Sequence, residues 1–113
     1  MLIYHMARAE DWQRHGPDGS YRGSRDDLRD GFIHFSTASQ VEESARKHRA
    51  GEEGLLLLAV DADRLGPALR WEPSRGGQLF PHLYGPLPPD AVVWAQPLPV
   101  GPDGLHRFPP LAD

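Results

Sequence analysis

At 113 residues, with 39% hydrophobic and 25% charged side chains, the chain suits one soluble domain with a modest single core. Its net charge of -4 supplies no basic field to draw in nucleic acid, and the absence of cysteine excludes disulfides, thiolate metal sites and a cysteine nucleophile. No apolar run approaches the roughly 20 residues that span a bilayer, and Met1-Leu2-Ile3-Tyr4-His5 lacks the pattern of a signal peptide, so the expectation is a cytoplasmic protein.

Leu2–Met6 is short, apolar and β-prone, a first strand with His5 near its end. Ala9–Arg14 carries Trp12 and makes one or two helical turns, stopped by Gly16-Pro17-Asp18-Gly19. Ser24 caps a helical turn over Arg25–Arg29, with Asp27 at the capping-box position and Gly31 closing it. Phe32–Phe35 is an apolar run that reads as a buried strand, and it ends at Ser36 and Thr37. Thr37 with Gln40, and Ser39 with Glu42, both have capping-box spacing. A strand carrying His34 therefore runs into a helix start, and free amides at such a start can seat an anion or phosphate.

Gln40–Arg49 has the clearest helical pattern, with Val41, Ala45 and His48 on one face and i,i+4 pairs Glu42–Arg46 and Glu43–Lys47. Leu55–Val60 is continuously aliphatic, the expected middle strand of the sheet. Leu69–Glu72 is a short strand, Pro73–Gln78 reads as a flexible loop, and Leu79–Gly85 is dense in aromatic and polar groups. Ala91–Gln96 is another apolar strand, and a Pro102-Asp103-Gly104 turn can close a last hairpin onto Leu105–Phe108. Short strands outnumber helices, and the helices fall mostly in the first half. The pattern predicts a single α+β domain over residues 1–113, with a largely antiparallel or mixed sheet.

None of the six histidines shows the spacing of a helical or strand-borne zinc site, so no metal ligand is assigned. His15 and His106 sit beside turns and are expected to be solvated; His48 is expected to be a satisfied, partly buried histidine. His5, His34 and His82 lie inside or at the end of apolar or aromatic runs, where a polar group must find a partner. They are either core histidines bonded to backbone or members of one cleft. An imidazole can orient a ribose hydroxyl or act as acid or base near neutral pH. Glu72, at a strand end after Trp71, is a candidate carboxylate for such a cleft. Ser36, Thr37, Trp71 and Tyr84 are candidate ligand contacts, the aromatic ones by stacking on a planar group.

Tyr4-His5, Gly31-Phe32-Ile33-His34 with Ser36-Thr37 and Gln40, Trp71-Glu72, and Phe80-Pro81-His82-Leu83-Tyr84-Gly85 together resemble the domain-of-unknown-function family 952 of small bacterial proteins. The resemblance implies an ADP-ribosyltransferase-like fold, a split β core that cradles NAD. It implies that His5 on the first strand holds the nicotinamide ribose and that Ser36 and Thr37 shape the nicotinamide pocket. With the residue-level reading of His34 and Glu72 above, His5, His34 and Glu72 are candidate catalytic residues. Tyr4, Ser36, Thr37, Trp71, His82 and Tyr84 are candidate ligand-binding residues. NAD or a related nucleotide is the candidate small-molecule substrate. The helix after the second strand lacks the aromatic residue that usually sandwiches nicotinamide in those enzymes.

Overall fold

The computed structural model describes residues 1–14 and 19–112. The expected turn Gly16-Pro17-Asp18 and the assignment of His15 as solvated lie outside the described residues. In chain order the elements are β1 (Leu2–Arg8), α1 (Ala9–Trp12), α2 (Arg25–Asp30), β2 (Ile33–His34), α3 (Ala38–His48), β3 (Leu55–Asp61), β4 (Leu69–Ser74), β5 (Gln78–Leu83) and β6 (Val92–Leu98).

The strands form two antiparallel three-stranded sheets, ordered β1-β3-β6 and β2-β5-β4. The aliphatic run of β3 sits between two neighbours, as a strand with no polar face must. β1 alternates. Ile3 and Ala7 enter a core shared with Ile33, Phe35, Leu58 and Leu83, whereas Tyr4 enters a second core with Val41, Leu57 and Leu98. Together the elements make a small compact α+β domain. Among the described residues, no helix is long and apolar enough to cross a membrane.

The segment after β2 bridges the two sheets. His34 pairs with His82 of β5, whereas two residues later Ser36 exchanges both backbone hydrogen bonds with Tyr4 of β1, each at 2.8 Å. Pro81 explains why β2 stops so early. The Phe35 N–H donates to the Pro81 carbonyl at 3.0 Å. Donor and acceptor of one residue face the same neighbour in an antiparallel ladder, and proline has no N–H to return. The chain therefore leaves β5 and crosses to β1, and a cleft opens at the seam.

Several details differ from the sequence-based expectations. α3 begins at Ala38, so Ser39 lies inside the helix, and only Thr37 with Gln40 forms a capping box, the Thr37 N–H donating to Gln40 Oε1 at 3.0 Å. Arg46 pairs with Glu43 at 3.4 Å, one turn back, in place of Glu42. His48 is exposed, because the buried face of α3 is carried by Val41, Ser44 and Ala45. The expected Pro73–Gln78 loop is mostly hairpin: Pro73 stands in edge strand β4 opposite Leu79, where its missing N–H costs no ladder bond, and the turn is only Arg75–Gly77. Among the described residues the tail forms a single bridge, Val100 to His106, and no hairpin strands. His106 is buried, held by a hydrogen bond from Nε2 to the Glu52 carbonyl at 2.8 Å.

Candidate functional site

The seam cleft has a volume of about 440 Å³, and its wall includes His5, Asp27, His34, Ser36, His82 and Arg49. Strands β1, β2 and β5 bring in the three histidines, α2 brings in Asp27, and the end of α3 brings in Arg49. Its arginines are already engaged. Arg8 and Arg49 each lie 3.1 Å from Glu52, and Arg29 is paired with Asp26 and Asp30. Burial alone would raise the Glu52 carboxyl, but Arg49 and Arg8 together hold it below the usual carboxylate range.

His5 is only 3% exposed, and both its nitrogens are committed. Nδ1 lies 2.6 Å from the His34 carbonyl, which can only accept, so Nδ1 carries the hydrogen. Nε2 lies 2.9 Å from the Tyr21 hydroxyl and, in the neutral ring, accepts from it. Burial pushes His5 below the ordinary imidazole value, with Asp27 partly opposing. Burial also pushes the Tyr21 phenol up. His5 thus lines the cleft with both nitrogens engaged, and through the His34 carbonyl it ties β1 to β2.

His34 and His82 are placed differently. Their pairing across β2 and β5 puts the rings on one face, with centroids 5.6 Å apart, and Phe32 stacks on His82 at 4.1 Å. Each ring is backed by a carboxylate. Nδ1 of His34 is 2.5 Å from Asp27 Oδ1, and Nδ1 of His82 donates to Glu72 Oε1 at 2.8 Å. Nε2 of His34 lies 3.2 Å from Asp30 at the cleft wall. Nε2 of His82 has no hydrogen-bond partner among the described residues.

Asp27 is 3% exposed and accepts from the backbone N–H of Ser24 (2.8 Å) and of His34 (3.2 Å) in addition to the His34 ring. Burial would raise its carboxyl, but the hydrogen bond from His34 and the nearby His5 bring it down to about 2. Sequence reasoning saw Asp27 only as a helix cap. Tyr21 and Arg49 were not singled out either, and Phe32 was read only as part of its strand and motif. Asp27 did carry one local signal, since it stands seven residues before His34 on a helix that leads directly into that strand.

Of the remaining candidates, Tyr4 and Ser36 line the cleft, and Thr37, Trp71, Glu72 and Tyr84 do not. Glu72 faces His82 and the Tyr84 hydroxyl, which donates to Glu72 Oε1 at 2.7 Å; the bonds from Tyr84 and His82 hold the carboxyl below its usual range, and the bond to Glu72 raises the Tyr84 phenol. Neither Glu72 nor Tyr84 lines the cleft, and Glu72 stands behind His82. Trp71 pairs with Pro81, between Arg70 and Glu72, and strand alternation turns it to the opposite face from His82, where it is 39% exposed. Thr37 caps α3 outside the cleft, so the expected anion seat at that helix start is not part of the site. Tyr4 borders the cleft, but its hydroxyl donates to the Ala112 carbonyl at 2.6 Å and accepts from the Ala112 N–H at 2.9 Å, pinning the tail. Ser36 does line the cleft, with its hydroxyl 3.4 Å from that of Ser44. Among the described residues, no group of three His, Asp or Glu is arranged to hold a metal.

A small α+β protein with two sheets parted at a histidine-lined seam is the class that this fold and cleft define. The chain belongs to the family described as "Protein of unknown function (DUF952)", whose pattern matches residues 6–95. It is similar to protein CC0527 from Caulobacter crescentus. The crystal structure of that protein shares 43% identity, with 95% of this chain and 94% of that chain covered and a TM-score of 0.89. Its solution NMR structure shares 44% identity over 92% and 90% of the two chains, with a TM-score of 0.80. No curated protein matches the sequence.

Proposed function

We propose that the seam cleft takes a nucleotide-like ligand by its ribosyl part, and that the protein acts on it as an ADP-ribosyltransferase-like enzyme, by ribosyl transfer or glycosidic cleavage. In this reading residues 1–113 form one domain with that family's split β core, and NAD or a related nucleotide is the substrate. The observation that carries it is the facing pair His34 and His82, two imidazoles 5.6 Å apart in one cleft, each backed by a carboxylate. Such a pair can deliver and accept protons at ribosyl hydroxyls or at an acceptor, His34 by exchanging its contact with the exposed Asp30 for the ligand. Ser36 supplies a further hydroxyl to the cleft, and Glu72 serves by orienting His82.

The test is to incubate the protein with NAD and follow nicotinamide by chromatography, together with thermal unfolding in NAD and ADP-ribose. A ligand at a hundred times its Kd should stabilise by about 2.7 kcal/mol. Nicotinamide release that is lost in His82→Gln supports the enzyme. Neither release nor a thermal shift overturns the reading. A non-catalytic module that binds a nucleotide or a small anionic metabolite is the second reading. It is favoured by the placement of Glu72 outside the cleft and by the absence of an aromatic residue on α3. A thermal shift with ADP-ribose and no nicotinamide release would assign it.

A further inference from the structure

We infer that Asp27 is the positioning residue of the cleft: it holds the His34 ring by a hydrogen on Nδ1 and so aims Nε2, with its own hydrogen, at Asp30 on the cleft wall. Asp27 has two separable jobs. As N3 of α2 it completes the capping box with Ser24, whose hydroxyl accepts from the Asp27 N–H at 3.2 Å. As an acceptor it receives both the backbone N–H and the ring Nδ1 of His34 on one oxygen, Oδ1, while its other oxygen takes the Ser24 N–H.

Three contacts leave that carboxylate little freedom, and packing removes more. Gly23, at φ +101, stands so close that a Cβ there would lie 2.6 Å from Asp27 Cβ and 2.8 Å from Oδ2. An ionised group this deeply buried requires a hydrogen-bonding counterpart. The charged and titratable groups facing His34 are Asp27 and Asp30 of α2, with His82 of β5 alongside; His5 of β1 reaches Asp27 at 3.8 Å. Asp27 is the only buried carboxylate of this set. Carboxylate partners of this kind fix the tautomer and orientation of a working imidazole.

The experiment uses protein labelled with nitrogen-15 at histidine, and NMR assigns the ring hydrogen of His34. In wild type His34 should show a hydrogen on Nδ1, downfield and protected from exchange. Asp27→Asn keeps the shape and removes the charge, and it should shift that resonance strongly upfield or abolish it. Ser24→Ala removes the other half of the cap; it should lower the melting temperature and leave the His34 resonance in place. Asp30→Asn should also leave the Nδ1 hydrogen in place. A wild-type His34 with its hydrogen on Nε2 alone would overturn the inference even if Asp27→Asn does not fold. So would an Asp27→Asn protein with an unaltered His34 signal. The inference concerns the site of the proposed function, but these signals need no ligand. If ADP-ribose binds, Asp27→Asn should weaken it measurably in calorimetry, and Ser24→Ala should not. A correct His34 signature with no ADP-ribose binding supports Asp27 as the positioning residue and counts against the nucleotide reading alone.

Discussion

His5 and His82 stand on strands of different sheets, border one cleft and carry the same side chain, yet they have opposite prospects. His5 is closed on both sides, by the His34 carbonyl and the Tyr21 hydroxyl. His82 is closed on one side by Glu72, and its other nitrogen is left at the cleft wall. Burial does not separate them, since both are nearly inaccessible. The identity of the partners does. A histidine held between a backbone carbonyl and a phenol joins two strands, whereas one held by a single carboxylate is oriented with a nitrogen to spare.

The strongest way to break this comparison is His5→Ala. It removes two hydrogen bonds, strands the Tyr21 hydroxyl and opens a cavity where β1 meets β2. The expected cost is about 3 kcal/mol in urea unfolding. If His5→Ala unfolds at the same urea concentration as wild type, His5 is not the joint described here.

Acid comes next, and its sign can be worked out. The Asp27 carboxyl lies at about 2 in the folded protein against an ordinary 3.8. Its contribution is therefore complete above about pH 4 and is lost as the pH falls toward 2; the difference is worth roughly 2 kcal/mol. His5 adds to this at milder acidity. Its folded value is below 6.5, so the unfolded chain binds a proton that the folded chain refuses, and stability declines as the pH drops under 6.5. Asp27→Asn should flatten the lower part of that decline. Equal slopes for wild type and variant between pH 4 and pH 2 would remove Asp27 as its source.

The sequence made the strand content legible because β1, β3 and β6 are apolar runs, and the helix content legible through Ser24, Asp27, Thr37 and Gln40. It hid the β4–β5 hairpin, because Pro73 and Gly76-Gly77 look like loop chemistry until β4 is known to be an edge strand with a turn that needs positive φ at both glycines. The clustering of three histidines in one cleft depended on the crossing from β5 to β1, which Pro81 helps impose and which no local pattern announces. The partners were least legible. Glu72 meets His82 only across a hairpin, and His106 is buried by a carbonyl 54 positions away.

The smallest stability effect should come from His82, and there the comparison can be sharpened. His82→Gln can keep a hydrogen bond to Glu72 but loses the stacking with Phe32, a loss of about 1 kcal/mol. Its unfolding midpoint should therefore stay closer to wild type than that of His5→Ala. Ligand response should rank the other way. If the cleft uses the free nitrogen of His82, His82→Gln should abolish the thermal shift with ADP-ribose while the protein remains folded. Glu72→Gln should give a partial loss of the same response, because it removes the charge that orients the ring and leaves the ring itself. A His82→Gln protein that still shifts fully with ADP-ribose would show that the open nitrogen is not what the cleft offers, and His34 beside Asp27 would then be the imidazole that meets the ligand.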